Sequence, residues 1–170
     1  MTKPRVAFFS FTSCEGCQLV VLTIEEQLLD LLDLIDIVTF REAISEKSEE
    51  YDIAFVEGSI TRESEIERLK TIRDTASIVI ALGACATIGG VNCMKNQYEM
   101  KSVQEIVYGE MADNFDTIPA RPIEEVVKVD YHIHGCPIDR EEFVEVTKSL
   151  LLGKKPRIPD YPVCVECQMR

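Results

Sequence analysis

Apolar positions fall into two rhythms along the chain. Short, mostly apolar runs occur at Val6–Phe11, Asp36–Phe40 (Asp-Ile-Val-Thr-Phe), Asp52–Val56 (Asp-Ile-Ala-Phe-Val) and Ser77–Leu82 (Ser-Ile-Val-Ile-Ala-Leu), with a fifth at Val126–Ile133. Their β-branched and aromatic content predicts strands. The stretch from Gln18 to Asp33 is too long and too leucine-rich for a strand and predicts a helix. Ile66, Leu69 and Ile72 recur at every third position among charged neighbours, which marks a surface helix packing one stripe inward. Ser102-Val-Gln-Glu105 reads as a capping box opening a short helix. Asp139–Leu152 is a last amphipathic helix, with Phe143, Val146 and Leu150 on one side.

Strands that are apolar throughout are those covered on both faces. Alternating with helices, they imply βαβ units and a parallel sheet. The expected fold class is therefore α/β, an open three-layer sandwich of flavodoxin-like type over residues 1–152. From Gly153 the composition changes, and three prolines between Pro156 and Pro162 predict an extended C-terminal tail over 153–170 that carries Cys164 and Cys167.

Composition narrows the function classes. The 170 residues hold 30 acidic and 18 basic side chains, a net charge of −12, and this acidity argues against nucleic-acid binding. An apolar share of 46% against 28% charged residues excludes wholesale disorder. No apolar run approaches the ~18 residues of a membrane span. The Val6–Phe11 run is broken by Ser10 and falls short of a secretory signal, and there is no twin-arginine pair, so a cytoplasmic chain with reduced thiols is expected.

Seven cysteines cannot all pair internally. Cys14 and Cys17 follow the first predicted strand, Cys85 follows Ser77–Leu82, and Cys136 follows the last strand. In an open parallel sheet all strand ends point one way, so these four thiols are expected along the carboxyl edge, where ligands bind. Glycines accompany them at Gly16, Gly83 and Gly135. Glycine lets backbone N–H groups approach a bound anion, and a cubane iron–sulfur cluster with four thiolates is such an anion. A helix starting near Cys17 would favour thiolate there through its N-terminal amides. Two other chemistries use the same atoms: a tetrahedral zinc site, though one close pair and two distant singles are unusual for structural zinc, and a dithiol redox pair at Cys14 and Cys17, which leaves Cys85 and Cys136 unexplained. Cys93, in Gly-Val-Asn-Cys-Met, reads as a buried small apolar residue.

Four words, Cys14-Glu-Gly-Cys17, Val56-Glu-Gly-Ser59, Gly83-Ala-Cys85-Ala-Thr-Ile-Gly-Gly90 and Gly135-Cys136-Pro137, occur in that order. With them the chain resembles, over essentially its whole length, the small subunit of [NiFe] hydrogenases and the 20 kDa subunit of complex I. It is most similar to the cytoplasmic sulfhydrogenase, methyl-viologen-reducing and F420-reducing types. The resemblance implies a flavodoxin-like domain holding a [4Fe–4S] cluster through Cys14, Cys17, Cys85 and Cys136. It also implies a large partner subunit with the nickel–iron centre and further electron-carrier subunits. Complex I relatives typically carry two adjacent cysteines at the first word, so the spaced pair here favours a hydrogenase. Members of the cytoplasmic branch usually continue past a Cys-x-x-Cys pair into a cysteine-rich segment with two further clusters. By that likeness Cys164 and Cys167 are candidates for a second iron–sulfur site completed by other ligands, and otherwise read as a tail dithiol that holds no metal.

Glu15 and Glu57 are expected near the same edge, as groups that orient a partner loop or move protons, or else as a helix-start carboxylate and a hydrogen-bonded turn residue. His132 and His134 share one face of a strand, which would allow a pairwise metal site, though packing or hydrogen bonding near an interface is the commoner role. The Gly83–Gly90 segment lacks the Gly-Lys-Ser/Thr of a phosphate loop, and nothing suggests a hydrolase.

Overall fold

A computed structural model of the chain describes residues 3–158. Five strands form one sheet: β1 (Arg5–Ser10), β2 (Asp36–Phe40), β3 (Ile53–Glu57), β4 (Ile78–Leu82) and β5 (Tyr131–Ile133). Their spatial order is β2-β1-β3-β4-β5 and every pairing is parallel. This is the flavodoxin-like order, in which ligands bind where the chain changes direction between β1 and β3. The register places Ser10 opposite Glu57, Glu57 opposite Leu82, and Leu82 opposite Ile133, so the carboxyl ends form one straight row.

The two faces of the sheet differ in bulk. On one side Val6, Phe8, Phe55, Ile80, Leu82 and Ile133 pack against the helices α1 (Gly16–Leu22), α2 (Glu26–Leu32) and α6 (Arg140–Leu151). Phe8 stacks on Phe40 and Phe55 with ring centroids 4.3 and 4.9 Å apart. On the other side Ala7, Ala54 and Ala81 alternate with Val56 and Val79, and their small size lets α3 (Glu63–Thr75) and α4 (Gly83–Ile88) approach closely through Leu69, Ile72 and Ala86. All five residues of β3 are buried, which explains why that segment reads as a continuous apolar run.

Three sequence expectations are corrected. The single helix over 18–33 is two helices, because the chain turns at Thr23–Glu25, where Glu25 takes φ 46°. The fifth strand is reduced to Tyr131–Ile133, since Ile123–Glu125 form a 3-10 turn and Val126, Val127 and Val129 pack into the second core from irregular backbone. Helix α5 (Met100–Tyr108) starts before Ser102, capped by the Glu99 carboxylate, which accepts from Lys101 N and Ser102 N. After α6 the described chain has no further helix or strand, and Ile158 packs on the first core. Among the described residues no helix is long and apolar enough to cross a membrane.

Candidate metal centre

The four expected cysteines lie beyond the carboxyl ends of the strands. Cys14 and Cys17 flank the start of α1 just after β1, Cys85 sits in α4 directly after β4, and Cys136 follows β5 in a turn closed by the Gly135–Ile138 bridge. All four are free thiols, Cys17 buried, Cys85 half-buried, Cys14 and Cys136 exposed. Cys164 and Cys167 lie outside the described residues.

Glu57 organises the centre of this edge. It ends β3, is 2% exposed, and its carboxylate accepts from Cys17 N (3.1 Å), Gln18 N (3.3 Å) and the Gln18 side-chain amide (2.9 Å). The first amides of α1 therefore bind a carboxylate rather than the Cys17 sulfur, and the expectation that they favour thiolate does not hold. Burial above all, with the nearby Glu57 charge and Cys85 adding to it, pushes the Cys17 thiol up to about 12. Cys85 is also raised, first by burial and then by the charges of Cys14, Cys136, Glu57 and Cys93.

Each residue of the Glu57-Gly58-Ser59 turn has a physical task. Gly58 adopts φ 101°, and a Cβ there would stand 2.7 Å from the Phe11 carbonyl carbon, so only glycine lets the two turns touch. Ser59 N donates to Thr12 O (3.0 Å) and Thr12 N to Ser59 O (3.2 Å). Asn92 then joins them, its side-chain amide donating to Thr12 O and Ser59 Oγ at 2.9 Å each. The β4–α4 turn is fastened to the Cys136 turn by Ala84 N donating to Gly135 O at 2.7 Å.

Glycines let three of the sulfurs pack directly against backbone. A Cβ at Gly83 would collide with the Cys17 sulfur, one at Gly90 would stand 2.8 Å from the Cys85 sulfur, and one at Gly16 would be 3.3 Å from that of Cys14. The donor set, four free thiols beyond the ends of parallel strands, fits an iron–sulfur cluster. Among the described residues no three cysteine, histidine or carboxylate side chains are close enough to share one metal ion.

The remaining candidates fall at the margin. Glu15, at the left-handed residue preceding α1 (φ 61°), ion-pairs with Arg41 from the end of β2. His132 meets Glu124 at 3.0 Å and stacks on His134 with centroids 6.0 Å apart. Cys93 packs under Gly89 and donates its S–H to Ala120 O at 3.3 Å. Sequence reading missed Gln18 and Asn92. Gln18 stands next to a cysteine, but its partner Glu57 lies 39 residues away, and nothing local announces that contact.

Residues 14–150 match the family described as NADH ubiquinone oxidoreductase, 20 Kd subunit. The chain is 36% identical to sulfhydrogenase 2 subunit delta of Pyrococcus furiosus over 97% of its own length and 69% of that protein's. It is 32% identical to a vhu subunit of the F420-non-reducing hydrogenase of Methanococcus voltae over 97% of its length, spanning 62% of that relative. A chain in the crystal structure of an NAD+-reducing [NiFe]-hydrogenase in the H2-reduced state superposes with a TM-score of 0.83 at 28% identity, covering 94% of this chain and 97% of that one.

Proposed function

The chain belongs to the NADH ubiquinone oxidoreductase 20 kDa subunit family, and on that premise we propose that it is the electron-transfer small subunit of a [NiFe] hydrogenase-type complex. Cys14, Cys17, Cys85 and Cys136 would hold a [4Fe–4S] cluster, and the hydrogen chemistry, H2 ⇌ 2H⁺ + 2e⁻, would belong to a large partner subunit. When bound, the cluster takes up and releases electrons one at a time. The protein would fix the four sulfurs and keep Cys17 out of water.

One observation carries this reading: three parallel strands deliver four cysteines to a single edge of the sheet. Thiolates on a cubane bind separate irons at its corners, so they need not converge on one point, as ligands of a zinc ion do. A dithiol redox pair at Cys14 and Cys17 would leave Cys85 and Cys136, on the same edge, without a role. Exposed Ile88, Val91 and Met94, which follow Cys85, support a protein partner at this edge. A cytoplasmic location and downstream electron-carrier subunits accompany the proposal, as does a second cluster involving Cys164 and Cys167.

Metal and sulfide analysis of the purified complex tests it. Brown protein with about four iron and four acid-labile sulfide per chain, copurifying with a nickel-bearing subunit, is the expected result. Colourless protein with one zinc per chain overturns it.

A further inference from the structure

Glu57 is a carboxylate sealed between the elements that carry Cys17 and Cys85, and its hydrogen-bond partners are neutral amides. All three contacts are N–H groups donating to it, the pattern of an ionised carboxylate rather than a carboxylic acid. A structural cap for the seven-residue α1 does not require a charge, because a serine or asparagine oxygen accepts the same amides. What the charge adds is a field at the cysteines, undiluted by solvent.

We propose that Glu57 sets the reduction potential of the cluster at this edge, holding it low by keeping one negative charge buried beside Cys17 and Cys85. The inference rests on the reading of Cys14, Cys17, Cys85 and Cys136 as cluster ligands. Reduction places one electron, and no proton, on a group that is already anionic, so a neighbouring anion opposes it. Gln18 moderates the effect by donating its amide to the same carboxylate. Glu57 is thus a positioning residue with a second, electrostatic role: it orients the amides of Cys17 and Gln18 and biases the electron.

The test is a redox titration of the purified complex with dithionite and mediators, following the cluster by electron paramagnetic resonance. Glu57→Gln removes the charge at nearly the same volume, while giving up one of the two oxygens that accept these amides. It is expected to favour reduction about tenfold, an upward shift of about 59 mV for a one-electron couple. Glu57→Asp keeps the charge and is expected to stay nearer to wild type than Glu57→Gln. Gln18→Met removes a donor, leaves the carboxylate less compensated, and is expected to shift the potential downward. A purely structural role predicts no such opposition of signs. An unchanged potential in Glu57→Gln, or an upward shift in Gln18→Met, overturns the proposal. Where Glu57→Gln fails to load iron, the sign in Gln18→Met decides alone. A wild-type complex without iron and sulfide overturns the cluster reading itself, an outcome seen before any potential is measured.

Discussion

The sulfur of Cys17 occupies the space that a side chain at Gly83 would need. Gly83 also adopts φ 80°, a conformation that costs other residues about 1–3 kcal/mol. Gly83→Ala is therefore expected to displace Cys17, lower the iron bound per chain and destabilise the fold by at least that amount. Iron analysis and denaturant unfolding check both effects. Full iron with unchanged stability would show that the two residues are not pressed together.

Cys136 and Cys93 should respond differently to the same change. Cys136→Ser takes a soft donor from the edge and is expected to lose iron and cluster stability. Cys93→Ser exchanges a thiol for a hydroxyl that can still donate to Ala120 O, and should leave both nearly intact. Equal losses would overturn the ligand assignment.

Asp130 ties the α3 side of the sheet together by accepting from Arg73 Nη1 at 2.5 Å and from Val79 N at 2.9 Å. Burial pushes its carboxyl up, but the Val79 N–H and the Arg73 guanidinium outweigh it and hold the group below the usual carboxylate range. A carboxyl depressed in the folded state gives stability that is present above the unfolded pKa of about 3.9 and is lost as pH falls through the folded value. Asp130→Asn should destabilise at pH 7 by about 1–3 kcal/mol. The gap from wild type should narrow at acid pH. Unfolding free energies of both proteins, followed from neutral to acid pH, decide it, and a gap independent of pH would contradict it.

The thin face of the sheet should be intolerant of added bulk. Ala54 is fully buried beneath α3 and α4. Ala54→Leu is expected to cost about 1–3 kcal/mol or more by overpacking. Phe55→Leu, on the thick face, removes part of a ring cluster and should be partly absorbed by repacking. Chemical denaturation of the two variants compares the faces, and a neutral Ala54→Leu would argue against close helix approach there.

What the sequence made legible follows from the range of the forces involved. Continuous apolar runs such as Ile53–Glu57 identify buried parallel strands because both faces are covered, and those strands carried the cysteines to the right edge. The break at Thr23–Glu25 was hidden because no glycine or proline punctuates the leucine-rich stretch. The valines at 126, 127 and 129 mimic a strand since burial alone makes them apolar, although they pack from a loop. At the site, the type and position of the cysteines were readable, and the role of Glu57 was not. A hydrogen bond spanning 40 residues leaves no trace in local pattern.

The row formed by Ser10, Glu57, Leu82 and Ile133 has a consequence for how such a chain can diverge. Strand pairing fixes that row independently of the connections at the opposite rim, so insertions or deletions around Lys47–Glu50 or Lys128–Val129 leave the sulfurs where they are. A single residue inserted between Leu82 and Cys85, or between Ile133 and Cys136, instead rotates a thiol out of alignment. Length variation among descendants of this sequence should therefore gather at one rim, while the few residues between strand end and cysteine keep a constant count.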